Sequence, residues 1–91
     1  MREVILVGAN WCGACKAMKT WFDVLIDEPG HSGAIFRYAD IKDADITGEG
    51  IASLPAVLFR ADGVTVQKLF GAMSQHSLKH AVERLWEGQE A

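Results

Sequence analysis

The first forty residues change from a strand pattern to a helix pattern and back. Residues 4–7 are a continuous apolar run that ends at Gly8, which is typical of a central strand covered on both faces. Apolar residues then recur at helical spacing over residues 13–26, and Pro29-Gly30 ends the predicted helix. Partial alternation over residues 35–41 predicts a second strand and so a βαβ unit. The apolar positions of the helix are Ala14, Ala17, Met18, Trp21, Phe22 and Leu25.

The middle of the chain has one uncertain segment and then a clear hairpin. Glycines break any long helix after the second strand, although one or two helical turns are allowed over residues 44–49. Residues 56–59 predict another buried strand. Asp62-Gly63 is a strong hairpin signal, and residues 64–70 are the predicted return strand.

The C-terminal residues predict a capped amphipathic helix. Ser74 is a suitable N-cap, and Gly88 is the expected end of the helix. The order is therefore β-α-β followed by β-β-α, within a single domain that covers residues 1–91. The apolar face of this last helix consists of Leu78, Ala81, Val82, Leu85 and Trp86.

Composition and charge exclude several classes of function. Hydrophobic residues make up 49% of the 91 residues, which is enough for a packed core. The net charge is −3 and there is no run of Lys or Arg, so we expect no nucleic-acid partner. No apolar stretch approaches the roughly 20 residues of a membrane helix, and the N-terminal run is too short for an export signal. We expect a cytoplasmic monomer with no membrane partner.

The two cysteines lie where the first strand gives way to the first helix. Unpaired N–H groups and the helix dipole at that point favour a thiolate. Cys12 is at the cap or first position, so its pKa should fall from about 8.5 toward or below ~7. Cys15 is about one turn further on and more shielded. The pattern therefore predicts that Cys12 attacks a disulfide and Cys15 resolves the mixed disulfide.

Two hypotheses of other functional classes, a zinc site and a protein-binding module, compete with thiol exchange. His76 and His80 are four residues apart on the last predicted helix, and with the two cysteines they superficially resemble a zinc finger. Fingers place about 12–15 residues between the two pairs, whereas some sixty intervene here, so we expect no metal. The other reading is a protein-binding module in which the cysteines are inert.

Four segments in the same order resemble the thioredoxin family, and together they cover nearly the whole chain. Residues 11–16 read Trp-Cys-Gly-Ala-Cys-Lys, close to the family's Trp-Cys-Gly-Pro-Cys-Lys. Residues 53–56 look like the segment that carries the family's cis-proline, and residues 59–63 and 70–72 resemble the strand and turns that follow. The resemblance implies an α/β thioredoxin-like fold: a compact four-stranded mixed sheet flanked by two or three helices.

The resemblance also implies an activity and a site. The activity is reduction of protein disulfides by dithiol exchange, with Cys12 and Cys15 catalytic and without a bound cofactor. Electrons would come from a thioredoxin reductase or from glutathione. The bond before Pro55 would be cis, and the backbone of Leu54 would face the substrate. The substrate-binding residues implied are Trp11, Gly13, Ala14, Leu54, Pro55 and Gly71.

Several departures from the family's pattern leave a glutathione-dependent glutaredoxin as an alternative. The sequence begins at the strand before the cysteines, so we expect four strands rather than five, which is also the glutaredoxin form. Leu6 replaces the buried acid that thioredoxins carry six residues before the first cysteine. Trp11, Leu54 and the Gly71-Ala72 pair are unlike a glutathione-dependent glutaredoxin. A glutaredoxin-like build combined with thioredoxin-like motifs resembles the small electron donors that serve ribonucleotide reductase.

The dipeptide between the cysteines generates a testable expectation. Gly13-Ala14 lacks the proline of the family's Gly-Pro. We predict a reduction potential above the thioredoxin value of about −270 mV, toward the glutaredoxin range of about −200 to −230 mV. Equilibration with glutathione redox buffers measures it. A potential at or below that of thioredoxin would contradict the prediction.

Overall fold

The predicted element order is confirmed in the computed structural model, which describes residues 2–27 and 34–89. The side chains of residues 27, 34 and 85–89 are outside the described part, as is the Pro29-Gly30 stop predicted for the first helix. The core positions predicted for Leu85 and Trp86 therefore lie outside it too. The elements are β1 (Arg2–Gly8), α1 (Gly13–Asp27), β2 (Ala34–Asp40), a 3₁₀ turn (Thr47–Glu49), β3 (Ala56–Ala61), β4 (Val64–Phe70) and α2 (Gln75–Gln89).

The four strands form one mixed sheet in the order β2-β1-β3-β4. β1 runs parallel to β2 and antiparallel to β3, and β3 runs antiparallel to β4. The apolar run of β1 is central and covered on both faces, since Val4, Ile5 and Val7 have no exposed surface. The compact four-stranded mixed sheet expected from the sequence is confirmed.

Both helices pack on the same face of the sheet. From α1, Met18, Phe22 and Leu25 enter a core that also contains Leu78 and Val82 of α2. Trp21 is half-buried against this core, as the helical spacing predicts. Ala14 and Ala17 were expected on the same apolar face and are exposed instead. Cys15 is buried on the same turns, so the side of α1 that faces the sheet is the one that carries Cys15, Met18 and Phe22, and the two alanines lie beside it.

The segment between β2 and β3 covers the other face of the sheet. Ile46 is fully buried there with Ile5 and Leu58, and Ile51 and Leu54 pack against them. Only one 3₁₀ turn forms in the described part of this segment, within the 44–49 range that the sequence allowed. The segment ends at Pro55, so its attachment to the sheet also positions that residue.

The turn and cap signals are confirmed, with one small error. Asp62 and Gly63 have φ values of 52° and 82°, the left-handed conformations that a two-residue hairpin with a type I′ turn requires. Ser74 caps α2, because its Oγ accepts a hydrogen bond from the Ser77 N–H at 3.2 Å. The helix continues one residue past Gly88, where we expected it to end.

A buried arginine of β3 fastens the covering segment to the sheet. The Arg60 guanidinium donates to the Asp45 carbonyl oxygen at 2.8 Å and to Glu49 Oε2 at 2.9 Å, and only 8% of the residue is exposed. The Thr65 hydroxyl of β4 donates to the same Glu49 oxygen at 2.8 Å. Arg37 of β2 adds an ion pair to Asp45 at 2.6 Å. Side chains of three strands therefore hold this segment, two by an arginine and one by a threonine hydroxyl.

We predict that Glu49→Gln destabilises the fold in a pH-dependent way. The Thr65 hydroxyl, and then Arg60, hold the pKa of Glu49 below its ordinary value of 4.5. The folded state therefore gains stability from the carboxylate above pH 4.5 and loses it as the pH falls through the lowered pKa. Glu49→Gln should cost about 1 kcal/mol at pH 7, since the network is partly screened by solvent. Urea unfolding at pH 7 and pH 3 measures the difference.

A matched substitution separates this network from a general effect of charge. Glu83→Gln removes an exposed carboxylate of α2 and should change the free energy of unfolding little at either pH. The cost of Glu49→Gln should shrink at pH 3. An equal cost at both pH values would show that Glu49 acts through packing and not through its charge.

Candidate active site

The sulfur of Cys12 caps the N-terminus of α1. The helix begins at Gly13, and the N–H of Cys15 donates a hydrogen bond to Cys12 Sγ at 3.2 Å. In this position the side chain accepts a bond from one of the N–H groups that a helix start leaves unpaired. The Cys12 N–H donates to the Ala9 carbonyl oxygen at 3.1 Å, which fixes the turn from β1. The placement at a helix start, predicted from the sequence, is confirmed.

The two cysteines form a disulfide with each other. Both are buried, with 8% of Cys12 and 6% of Cys15 exposed. Cys15 is the more shielded residue, as expected, but by a small margin. Exposure alone therefore separates the two sulfurs poorly, whereas the hydrogen bond from Cys15 N–H singles out Cys12 as the sulfur better able to carry negative charge.

Gly8 makes room for Cys15 and was not singled out by the sequence. A Cβ added to Gly8 would lie 3.0 Å from the Cβ of Cys15 and 3.3 Å from its sulfur. Any side chain at the end of β1 would therefore displace Cys15. The available signal was the position of Gly8, which ends an apolar strand four residues before the first cysteine.

The end of the sheet brings the other predicted residues together. Ala56 is the register partner of Val7 on one side and of Phe70 on the other. The residues next to these positions, Pro55 and Gly71, therefore lie at the same sheet end as the turn into α1. The Gly71 N–H donates to the Pro55 carbonyl oxygen at 2.8 Å.

The conformations at these two positions match those implied by the resemblance. The Leu54–Pro55 peptide bond is cis. Gly71 has a φ of 94°, in the region that favours glycine, and a Cβ there would meet nothing within 4 Å. The backbone conformation therefore accounts for glycine at position 71, and the space beside it is open.

The remaining predicted contact residues differ in exposure. Trp11 is 75% exposed, which is unusual for a large apolar side chain and makes it available to a partner. Gly13 and Ala14 are exposed beside it at the start of α1, whereas Leu54 is half-buried and Pro55 is buried. The structure thus places Trp11, Gly13 and Ala14 on the outer surface next to the disulfide.

A cleft opens beside Cys15, between α1 and the ends of β1 and β2. Its volume is about 370 Å³. Leu6 and Gly8 line it from β1, and Lys16 and Lys19 line it from α1. This space, which we call the Cys15 cleft, was not predicted, because sequence spacing does not show where a helix and two strand ends separate. Leu6 is 3% exposed, so the position of the family's buried acid holds a buried apolar side chain.

The histidines of the zinc-finger reading lie on α2. His76 and His80 pack against each other with ring centroids 6.3 Å apart. Among the described residues, no group of three or more His, Cys, Asp or Glu side chains is gathered to hold a metal. In the same part of the chain, no helix has the length and apolar character needed to cross a bilayer.

Comparison with known proteins gives one consistent result. The thioredoxin family model matches residues 2–84. The chain is 36% identical over 83 residues to Thioredoxin-like 3-3 of Arabidopsis thaliana, which covers 91% of this chain and 61% of that protein. It is 31% identical over 84 residues to thioredoxin of Gallus gallus, covering 90% of this chain and 77% of that protein. The solved thioredoxin of Malassezia sympodialis superposes with a TM-score of 0.80 at 28% identity, covering 91% of this chain and 73% of that chain.

The family model and the relatives match nearly all of the elements described above. The chain spans less than two thirds of the length of the Arabidopsis relative. The family match nevertheless includes all four strands that the structure describes, the first helix with its cysteine pair, and most of the second helix. The chain therefore belongs to the thioredoxin family.

Proposed function

We propose that this chain reduces disulfide bonds of protein substrates by dithiol exchange. The observation that carries the proposal is the hydrogen bond from Cys15 N–H to Cys12 Sγ, within a pair that already forms a disulfide. The same donor would stabilise a Cys12 thiolate, which is the attacking species in such exchange. Family membership supports the same reaction class.

The reaction needs two exchange steps. The Cys12 thiolate attacks one sulfur of the substrate disulfide, forms a mixed disulfide and releases the first substrate thiolate. The Cys15 thiolate then attacks Cys12 Sγ, which restores the Cys12–Cys15 disulfide and releases the second. Two electrons pass from the dithiol to the substrate, and the released thiolates take up the protons that the two cysteines lost.

Substrate contacts are proposed at the sheet end next to the disulfide. Trp11 supplies exposed apolar surface there, and Gly13 and Ala14 flank it. The backbone of Leu54, before Pro55, would pair with an extended substrate segment, and Gly71 leaves space beside it. We propose a monomer as the working unit, since both cysteines and these contact residues lie at one end of a single sheet.

Partners and compartment follow from the same chemistry. A reductase must be returned to its dithiol form, so we propose a thioredoxin reductase or glutathione as electron source and the cytoplasm as compartment. Ribonucleotide reductase stays a predicted substrate.

Substitution of each cysteine tests the proposal. Cys12→Ser should reduce insulin disulfides no faster than the dithiothreitol in the assay, because the attacking sulfur is gone. Cys15→Ser should attack once and remain as a mixed disulfide, which intact-protein mass spectrometry detects as an added substrate chain. Turnover by Cys12→Ser would overturn the assignment of roles.

We predict that Gly8→Ala slows turnover by displacing Cys15. The added Cβ would lie 3.0 Å from the Cβ of Cys15, so the resolving sulfur must move. Crowding of this kind costs about 1–3 kcal/mol of stability. Insulin reduction and thermal unfolding should both be impaired.

Gly48→Ala is the matched control for this substitution. Its added Cβ would meet nothing within 4 Å, and the residue lies on the covering segment away from the cysteines. It should leave turnover unchanged. Normal turnover by Gly8→Ala would mean that Cys15 tolerates the displacement.

A further inference from the structure

The last part of the covering segment is attached to the sheet at both of its ends. Its backbone over residues 50–54 makes no hydrogen bond to another described residue. At one end lies Glu49, and at the other lies Pro55, whose carbonyl oxygen accepts a hydrogen bond from the Gly71 N–H at 2.8 Å. Apart from the apolar packing of Leu54 and its neighbours, the course of residues 50–54 therefore depends on these two attachments.

Glu49 is attached to the sheet through its side chain and its main chain. The Arg60 guanidinium and the Thr65 hydroxyl both donate to Glu49 Oε2, at 2.9 and 2.8 Å. The Lys68 ammonium donates to the Glu49 carbonyl oxygen. The Arg60 and Glu49 side chains are 10% and 19% exposed, so water screens their charges less than those of a surface pair. Glu49 is therefore a fixed point from which residues 50–54 continue.

Arg60 joins this attachment to the start of the 3₁₀ turn. Its guanidinium also donates to the Asp45 carbonyl oxygen at 2.8 Å, and its Nε donates to the Thr65 hydroxyl oxygen at 3.3 Å. A buried guanidinium keeps such acceptors because an unpaired buried charge is costly. Asp45 precedes the 3₁₀ turn and Glu49 ends it, so the turn cannot shift along the sheet without breaking these bonds.

The bonds of Arg60 are remote from the two sulfurs. Arg60 is the register partner of Glu3, near the start of β1, whereas Cys12 follows the end of that strand. Along β3, Arg60 is four residues from Ala56, which corresponds to about 13 Å. Arg60 therefore has no direct part in thiol exchange, and residues 50–54 connect its bonds to the substrate contacts proposed above.

An extended substrate segment would pair with the backbone of Leu54, at the end of residues 50–54. Such pairing is stronger when the receiving backbone is already ordered, because the cost of ordering it is not subtracted from the free energy of binding. We propose that the Arg60–Glu49 pair positions the Leu54 backbone for protein substrates by fixing the point from which residues 50–54 start. A small disulfide has no backbone to pair with Leu54. The Arg60–Glu49 pair therefore favours the reduction of protein disulfides over small ones.

Kinetics with a protein disulfide and a small disulfide test the inference. Arg60→Met removes the guanidinium and keeps a long unbranched side chain. The KM for insulin should rise about three- to tenfold with little change in kcat, because order at the contact is lost while Cys12 is intact. The rate of reduction of hydroxyethyl disulfide should remain that of wild type.

Two further arginine variants sharpen this result. Arg60→Lys keeps the positive charge, but an ammonium lacks the fork of a guanidinium and cannot serve both acceptors in the same geometry. Its KM for insulin should lie between those of wild type and Arg60→Met. Arg84→Met is the matched control, since Arg84 is an exposed arginine of α2 outside the Glu49 network. It should leave KM and kcat for insulin unchanged.

A milder variant separates loss of positioning from loss of the fold. Urea unfolding curves establish which variants are fully folded in the assay, and kinetics are compared for those. Thr65→Val removes one hydroxyl that donates to Glu49 and leaves the Arg60–Glu49 pair in place. It should raise the KM for insulin about twofold and leave the reduction of hydroxyethyl disulfide unchanged.

The inference rests on the proposed reductase function, and the two fail separately. If wild type reduces insulin and Arg60→Met keeps the wild-type KM, only the inference is wrong. Should Arg60→Met not fold, a wild-type KM for Thr65→Val leads to the same conclusion. Equal slowing with both disulfides also overturns the inference, because the effect would then lie at the cysteines. If wild type fails to reduce insulin, the proposed function is wrong and the inference falls with it.

Discussion

One hydrogen bond sets the chemical difference between the two cysteines. The Cys15 N–H donates to the Cys12 sulfur at the first turn of α1. Both residues are almost equally buried, so accessibility gives little distinction between them. The bond acts in whichever step Cys12 carries negative charge, because one donor stabilises that sulfur as a nucleophile and also as a leaving group. The proposed attack on a substrate disulfide therefore depends on this N–H.

This bond depends in turn on how β1 ends. Three residues connect the strand to Cys12, and the Cys12 N–H bond to the Ala9 carbonyl oxygen closes that turn. Gly8 allows Cys15 to pack directly against the strand end. On the opposite face, Arg60 holds the covering segment whose last residue is Pro55. The residues at this end of the sheet are therefore positioned from both of its faces. On one face apolar packing holds α1, and on the other a charged network holds the segment that ends at Pro55.

Local patterns in the sequence were enough to predict the order of the helices and strands and the position of the cysteine pair at a helix start. A continuous apolar run, an Asp-Gly turn and a serine cap each depend on neighbouring residues alone, so they can be read without the fold. Ala14 and Ala17 follow the same helical period as Met18 and yet are exposed. Periodicity identifies the apolar side of a helix but does not show which part of that side faces the sheet, since Cys15 between them is buried.

Features that join distant segments could not be predicted in this way. Arg60 contacts residues 11 and 15 positions earlier in the chain, and no spacing rule relates them. The Cys15 cleft likewise needs α1 and β2 to be placed side by side before its charges can be recognised as opposed. Both features arise from tertiary packing, which selects among many surface charges the few that meet.

Leu6 and Cys15 line the same cleft, so the residue at position 6 determines the chemical character of the space beside Cys15. In the family that the sequence resembles, an acid at this position would take the proton from the second cysteine. Leu6 cannot do so, yet it lines the cleft that also reaches Cys15. The cleft therefore has an apolar wall beside Cys15 where the family's pattern has a carboxylate. The carboxylates that do line this cleft, Asp40 and Asp43, come from the end of β2 and the turn beyond it, so any carboxylate that assists Cys15 from the cleft would have to act from that side and not from β1.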